Sequence, residues 1–222
     1  MTSDRRPVFL DADVLAASLT RTLIMTAAVQ DGAVFTPRWS LRVEAEADRH
    51  ARPGQTRLVD VRARWWGADA LVPSTDDPSL ADTHPKDRHV IASARDAGIG
   101  LIVSRNIADF GQADLVRCGV SVAHPDLFLA SVVGPADYLT MLEDICSRRS
   151  RAPNVPEVLH RALAAEHPRL FEAMSPLFPT VSADQGVRPS LVFRGASCLV
   201  CGRPLTDTGS LASGVGPECH RS

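Results

Sequence analysis

Short apolar segments alternate with helical patterns over the first half of the chain, and few architectures accommodate this alternation. The apolar segments lie at 8–10, 33–36, 70–72, 100–103 and 120–123. The predicted helices lie between and after them at 14–29, 40–51, 56–66, 86–97 and 112–118. Continuously apolar strands separated by helices are typical of a parallel sheet that is buried on both faces. We therefore predict an α/β fold in which helices cover both faces of a mainly parallel sheet.

The remainder of the chain has a different pattern. Residues 134–178 show helical periodicity interrupted by prolines, which predicts a helical extension. Residues 179–196 are rich in proline, glycine and polar side chains and are predicted to form a linker. The segment 197–222 contains three of the five cysteines and is predicted to form a small separate module. Because a linker precedes this module, we expect residues 1–178 to fold without it.

Composition argues against several classes of protein. The chain has 24 basic and 26 acidic residues and a formal net charge of −2, so its overall charge does not favour nucleic acid as a partner. The most apolar stretch is interrupted by Asp11, Asp13 and Arg21, and the first residues lack the apolar core of a signal peptide. A membrane or secreted protein is therefore not expected. An odd number of cysteines without an export signal predicts reduced thiols and a cytoplasmic location.

Polar side chains follow two of the predicted strands directly. Asp11 comes immediately after the first apolar run, and Asp13 lies two residues later. A later apolar run is followed by Ser104, Asn106 and Asp109. In an open parallel sheet, ligands bind beyond the carboxyl ends of the strands, so these side chains would share one edge. Such residues are ordinary in loops and helix caps, but two clusters at one edge favour a binding site.

Asp87 lies on the buried face of a predicted helix, and helix formation does not require an acidic residue on that face. It precedes Val90 and Ile91 by three and four residues, so helical periodicity places it on the buried face. A carboxylate in the first turn stabilises the helix dipole, but this does not explain a carboxylate that faces the core. By the same periodicity His89 lies on the opposite face and is predicted to be exposed to solvent.

A group of neighbouring carboxylates points to a divalent cation. Two ionised carboxylates about 4 Å apart repel by a few kcal/mol at an effective dielectric constant near 20, so such a cluster shares protons or binds a cation. Oxygen ligands without adjacent cysteine or histidine suit Mg²⁺ or Mn²⁺. These ions generate hydroxide and stabilise both oxygens of an in-line phosphodiester displacement. The sequence therefore predicts a metal-dependent nuclease.

The order of these motifs resembles that of PIN-domain ribonucleases. The similarity covers residues 7–133 and runs through the segments VFLDADVL, WSLRVEAEADRH, HPKDRHVIASA, LIVSRNIADF and SVAHPDLFLA. It implies a PIN-like three-layer nuclease domain in residues 1–133 and an endoribonuclease activity that uses Mg²⁺ or Mn²⁺. The helices to residue 178 resemble an extension in a bacterial subgroup with toxin-like members. RNA is then the substrate, and the resemblance leaves room for an antitoxin protein and a homodimer.

The resemblance also assigns site residues. The implied acidic quartet and its polar supports are Asp11, Glu46, Asp87, Asp109, Asn106 and Ser104. Glu46 is preferred to Glu44 because it lies six residues after the Trp-Ser pair, where the family has its acid, although acids on a helix usually face solvent. Asp13 departs from the family pattern, which commonly has Asn or Thr there, and it either adds a ligand or caps a helix. Asp82 is an auxiliary candidate.

Two other functions remain open. The segment FLDADVL also resembles the opening motif of haloacid dehalogenase-type phosphatases, with Asp11 as the nucleophile that becomes an aspartyl phosphate and Asp13 as the acid. LIVSRN resembles their second motif. That chemistry uses a lysine after the second motif, whereas Lys86, the only lysine, precedes Ser104. The nuclease is therefore preferred. The third function is a non-catalytic module that binds RNA or protein and retains a vestigial acidic cluster.

The tail has the spacing of a zinc site. Cys198 and Cys201 form a C-x-x-C pair followed by Gly202, as in zinc knuckles, and Cys219 is followed by His220. Three thiolates and one imidazole would complete a tetrahedral structural site, although adjacent residues rarely bind the same ion, so the fourth ligand stays open. A segment this short lacks a core of its own, which favours zinc over an unmetallated tail. Its motif resembles a small domain of uncharacterised function.

Overall fold

A central sheet organises the molecule. The computed structural model describes residues 5–219. The strands in this part of the chain are β1 (Arg6–Leu10), β2 (Phe35–Ser40), β3 (Leu71–Val72), β4 (Leu101–Val103), β5 (Ser121–Ala123) and β6 (Phe193–Arg194). They form a six-stranded sheet in the order β3-β2-β1-β4-β5-β6. All of these pairings are parallel except the antiparallel pairing of β5 with β6, which confirms an α/β fold with a mainly parallel sheet.

Helices connect the strands and continue beyond the fifth. They are α1 (Ala12–Ala16), α2 (Ser18–Val29), α3 (Leu41–His50), α4 (Leu58–Trp65), α5 (Arg88–Asp96), α6 (Gln112–Cys118), α7 (Pro125–Val132), α8 (Pro135–Ser147), α9 (Pro156–Glu166), α10 (Pro168–Met174) and α11 (Thr208–Ser213). A short 3-10 turn, Ile107–Asp109, follows β4. Among residues 5–219, none of these helices combines the length and the apolarity that crossing a lipid bilayer demands.

The register of the central strands brings their carboxyl ends to one edge. Phe9 pairs with Ile102, and Leu10 pairs with Val103. The N–H of Asp11 donates to the carbonyl of Val103 at 3.0 Å and continues this alignment past the end of β1. The chain order reverses between β1 and β4, since β2 and β3 lie on one side and β5 on the other. Loops diverge at such a point and leave a crevice beyond the strand ends.

The helical extension is anchored to the body by a buried carboxylate. Asp126 on α7 is inaccessible to solvent. One of its oxygens accepts hydrogen bonds from the backbone N–H groups of Arg169 and Leu170, both at 3.1 Å. These amides lie in the first turn of α10, where the helix itself provides no acceptors. The start of α10 is therefore held against α7.

The tail is part of the main sheet, and in this the structure differs from the predicted linker at 179–196. That segment ends in β6, where Phe193 pairs with Ala123 of β5. Arg6, the first residue of β1, donates from Nη1 to the carbonyl oxygens of Cys198 at 2.9 Å and Leu199 at 2.8 Å. Four apolar side chains of the tail are buried in the common core: Phe193, Leu199, Leu205 and Val215. These contacts lead us to expect that residues 1–178 depend on the tail for part of their stability, which removal of residues 179–222 would test.

Candidate functional site

Asp11 and Ser104 connect the ends of β1 and β4. Asp11 caps α1, because its Oδ1 accepts a hydrogen bond from the N–H of Ala12 at 2.7 Å. Its Oδ2 accepts a hydrogen bond from the hydroxyl of Ser104 at 2.8 Å. Asp13 accepts from the backbone N–H of Arg105 at 3.0 Å. The two loops of the crevice are thus joined by carboxylates that sequence analysis placed at this edge.

The environment of this carboxylate pair disfavours two negative charges. Asp11 is buried, with 7% of its surface exposed. Burial, followed by the charge of Asp13, raises the pKa of Asp11 well above its usual range, although the Ser104 hydroxyl lowers it. The charge of Asp87 makes a further contribution that raises this pKa. Burial also raises the pKa of Asp13. Each carboxyl group therefore ionises more readily when a cation is close.

Asp87 and Asp109 are brought together by backbone hydrogen bonds. The N–H of His84 donates to the carbonyl of Asp109 at 2.8 Å, and the N–H of Asp87 donates to the carbonyl of His84 at 2.9 Å. These bonds hold the loop before α5 against the 3-10 turn after β4. Potential ligand atoms of His84, Asp87 and Asp109 all lie within 4.8 Å of one another. The three side chains could therefore contact one metal ion.

Asp87 has a carboxylate oxygen that the fold does not use. Its Oδ2 is buried and has no hydrogen-bond partner among the described residues. Burial, with smaller contributions from the charges of Asp109 and Glu46, raises the pKa of Asp87 to about 7 against the opposing effect of Lys86. The charges of Glu46 and Asp109 therefore both act on Asp87. Through Asp87, this group is coupled to Asp11.

Lys86 and His84 belong to this cluster, and sequence analysis did not assign them to it. The Lys86 ammonium lies 2.9 Å from Oδ2 of Asp109 and 4.0 Å from Oδ2 of Asp87. The amide of Asn106 also donates to the Asp109 carboxylate. Hydrogen bonding from Lys86 accordingly lowers the pKa of Asp109, although some burial opposes it. The available signal was that Lys86 is the only lysine and stands directly before Asp87.

The structure distinguishes the two glutamates of α3. Glu44 is buried, and its Oε2 accepts hydrogen bonds from the Trp39 indole at 3.0 Å and the Arg62 guanidinium at 2.8 Å. Its oxygens are therefore engaged in holding α3, β2 and α4 together. Glu46 is one-third exposed and makes no comparable bonds within the described part of the chain. Asp82 is exposed and joins no group of potential metal ligands within residues 5–219.

His89 is buried, contrary to the exposed position that periodicity predicts. Only 2% of its surface is accessible, because α5 packs against neighbours on more than one face. Its Nε2 lies 3.9 Å from Oε2 of Glu46. Burial, with a smaller contribution from the charge of Arg42, lowers the pKa of His89 to about 4. The imidazole is therefore neutral at physiological pH and forms part of the core beneath Glu46.

The cysteines of the tail form a second group of potential ligands. Ligand atoms of Cys198, Cys201 and Cys219 lie within 4.8 Å of one another, close enough to hold a metal ion. Cys198 is buried, and its sulfur accepts a hydrogen bond from the N–H of Gly216 at 3.4 Å. Burial raises the pKa of Cys198, but backbone N–H groups more than offset this and lower it overall. The predicted ligand His220 lies outside the described residues.

Comparison with known proteins identifies relatives of this cysteine-containing segment. Residues 194–222 match the model of a family of unknown function (DUF6011). The match begins at Arg194, the last residue of β6, and includes α11 and the three clustered cysteines. No curated protein and no solved structure matches the chain. The resemblance of residues 7–133 to PIN-domain nucleases therefore rests on the sequence motifs themselves.

Proposed function

We propose that the protein is a Mg²⁺- or Mn²⁺-dependent endoribonuclease with a PIN-like catalytic domain. The observation that carries this proposal is the set of coupled carboxylates at the crevice between β1 and β4. The proposed ligands are Asp11, Glu46, Asp87 and Asp109, with Ser104 and Asn106 as supporting residues. The strand order and the position of the cluster at the switch point support a ligand site there.

The residues present fit a hard divalent cation. The donors are mainly carboxylate oxygens, which Mg²⁺ and Mn²⁺ prefer. The Oδ2 of Asp87 is a buried acceptor without a hydrogen bond within residues 5–219, and the Lys86 ammonium is 4.0 Å away, so a metal ion would satisfy it better. A cation would also relieve the burial and repulsion that raise the pKa of Asp11 and Asp87. When bound, such an ion supplies hydroxide and stabilises charge on the phosphodiester oxygens.

The protein's own groups orient the cluster. The Ser104 hydroxyl fixes Oδ2 of Asp11, and the Asn106 amide fixes the Asp109 carboxylate. Each carboxylate oxygen has two lone pairs, so these bonds leave acceptor capacity for a ligand. Lys86 lies at the exposed side of the cluster, where its ammonium neutralises Asp109. We propose that it also attracts a phosphate of the RNA backbone.

The direct test compares two substrates. Protein dialysed free of weakly bound metal should cleave single-stranded RNA only after Mg²⁺ or Mn²⁺ is added, and it should not hydrolyse 4-nitrophenyl phosphate. Cleavage of the RNA is expected because the metal ion would activate water to attack a phosphodiester. Gel analysis of labelled RNA measures this cleavage. Trapping an acid-stable, base-labile phosphate on Asp11 would contradict the nuclease and establish the phosphatase instead.

The position of Lys86 bears on the phosphatase alternative. The structure brings this lysine to the acidic cluster although it precedes Ser104 in the sequence. Its ammonium forms ion pairs with Asp109 and Asp87, and within the described residues it forms none with Asp11. A phosphatase would need this cation beside the aspartyl nucleophile. Beyond the hydrogen bond from Lys86 to Asp109, the charge of Asp11 nevertheless acts on Lys86 and raises its pKa, so the trapping experiment above decides between the two functions.

The pKa of Asp87 predicts how the stability of the metal-free protein depends on pH. Because the pKa rises from its ordinary 3.8 to about 7 on folding, the folded protein retains a proton that the unfolded chain releases. The free energy of unfolding contributed by this group therefore falls between these two values as pH rises. Relative to wild type, Asp87→Asn should gain roughly 2–4 kcal/mol from pH 4 to pH 8, measured by urea unfolding, since the full shift corresponds to about 4 kcal/mol and solvent screening reduces it. A pH-independent difference would contradict the burial argument.

For the tail we propose a structural zinc ion bound by the three cysteines. Purified protein should contain about one zinc per chain, since structural sites of this kind are closed around a single ion. The variant with Cys198→Ser and Cys201→Ser should lose the zinc, measured by elemental analysis, and should melt at a lower temperature because metal binding and folding are coupled. Cys118→Ser is the matched control, since Cys118 lies outside the cluster. Full zinc content in the double variant would place the ion elsewhere.

A further inference from the structure

A pocket on the face formed by α2 and α4 is separate from both metal clusters. Its volume is about 180 Å³. The residues that line it carry charged, hydroxyl and apolar side chains, and they include Arg21, Thr26, Thr56, Val61, Trp65 and Arg148. None of its lining residues belongs to the acidic cluster or to the cysteine cluster. The pocket has no role in the function proposed above.

Arg21 lines this pocket and has a single side-chain hydrogen bond within the described residues. The residue is buried, with 7% of its surface exposed, although it carries a guanidinium group. Its Nη2 donates to the carbonyl of Thr56 at 3.0 Å, whereas its Nη1 has no partner within residues 5–219. A guanidinium stays charged in proteins, and a buried charge without a partner is costly. An anion in the pocket would remove this cost.

The carboxylate that acts on Arg21 is already engaged. The charge of Asp48 raises the pKa of Arg21, against the larger lowering effect of burial. The Asp48 oxygens, however, accept hydrogen bonds from the backbone N–H of Leu58 at 2.8 Å and from the Arg57 side chain at 3.4 Å. Asp48 therefore compensates Arg21 only at a distance, and no carboxylate within residues 5–219 pairs directly with this guanidinium.

The other lining residues add a second cation and an apolar surface to the pocket. The guanidinium of Arg148 lies 5.2 Å from the centre of the Trp65 ring. Arg148 also pairs with Asp144 at 2.7 Å, and about half of its side chain is exposed. Thr26, which is buried, contributes a hydroxyl-bearing side chain, and Val61 and Trp65 contribute apolar surface. Donors for an anion and a surface for an apolar group thus occur together.

We propose that this pocket binds the phosphate group of a small organic phosphate. Guanidinium groups match phosphate oxygens in geometry as well as in charge, and Arg21 supplies the buried donor. The body of the ligand would lie against Val61 and Trp65. The volume is below the roughly 300–1,000 Å³ of pockets that enclose drug-sized ligands, which fits a compact molecule. This assignment is independent of the nuclease proposal.

Phenylphosphonate is a suitable probe because it has the phosphate-like dianion and an aromatic body but no hydrolysable ester. In calorimetric titrations of the full-length protein without added divalent ions, it should bind once per chain. Inorganic phosphate lacks the body, and benzyl alcohol lacks the charge, so each should bind at least tenfold more weakly. Asp11→Asn should bind the probe as wild type does, which separates this pocket from the acidic cluster.

Variants test the assignment to the arginines. Arg21→Met, which keeps the apolar length of the side chain, should weaken binding at least tenfold, and Arg148→Met should weaken it several-fold. Arg161→Met is the matched control, since Arg161 is exposed on α9 outside the pocket. If Arg21→Met fails to fold, the half-exposed Arg148 decides the question. Wild-type affinity in Arg148→Met, no binding at millimolar probe, or equal binding of phosphate or benzyl alcohol would overturn the proposal.

Discussion

Replacing Asp11 or Asp87 with asparagine should lower the rate of RNA cleavage by on the order of a hundredfold or more while the protein stays folded. Asparagine preserves the shape of the side chain but removes the charge that would bind a divalent cation. It also removes the repulsion between neighbouring carboxylates, so the metal-free variants should be as stable as wild type or slightly more stable. Initial rates on a labelled single-stranded RNA, combined with urea unfolding, measure both effects.

The matched control for these variants is Asp184→Asn, because Asp184 is exposed and distant in sequence from the cluster. It should cleave at the wild-type rate. Ser104→Ala should give an intermediate rate, since it removes only the hydroxyl that orients Asp11. Wild-type activity in either Asp11→Asn or Asp87→Asn would show that the quartet is not the catalytic metal site.

Removing residues 179–222 should lower the melting temperature by more than about 10 °C or prevent folding. The deletion exposes core surface that four buried apolar side chains of the tail now cover. Each such side chain contributes about 1.5–3 kcal/mol through burial, and a whole domain is stable by only about 5–15 kcal/mol. Circular dichroism melts of the truncated and full-length chains measure the difference.

Two leucines of the tail provide a milder version of the same test. Leu205 is 8% exposed, whereas Leu211 on α11 is 38% exposed. Leu205→Ala should destabilise the protein by about 2–4 kcal/mol, and Leu211→Ala should have an effect within about 0.5 kcal/mol. If the truncated chain has the same melting temperature as the full-length protein, or if the two leucine variants are equally destabilised, the tail is an independent appendage.

The strands that position the site could be predicted because each buried strand is a short, continuous run of apolar residues in the sequence. The apolar runs at 8–10 and 100–103 correspond to β1 and β4, and the rule that parallel strands end at one edge placed Asp11 near Ser104. The structure gives these two residues a direct hydrogen bond. Here a local pattern and one general rule about sheets were sufficient.

Other parts of the site depend on tertiary contacts that no local pattern contains. His84 and Lys86 lie in an irregular loop, so no periodicity indicates which way they face. The loop reaches Asp109 through a backbone hydrogen bond, which any residue type could make. Periodicity misplaced His89 because it assumes one buried face, whereas α5 is covered on more than one. The strand β6 has two residues, too few to show alternation.

The pairing of β6 with β5 has a consequence for self-association. In the described part of the chain, β6 covers the side of β5 that β4 does not, and beside it the N–H of His124 donates to the carbonyl of Val192 at 2.8 Å. A tail that detaches after loss of the proposed zinc ion would leave these backbone groups free, and an open strand edge is a template for pairing with another chain. We therefore expect chelated protein to aggregate through this edge before its helices unfold.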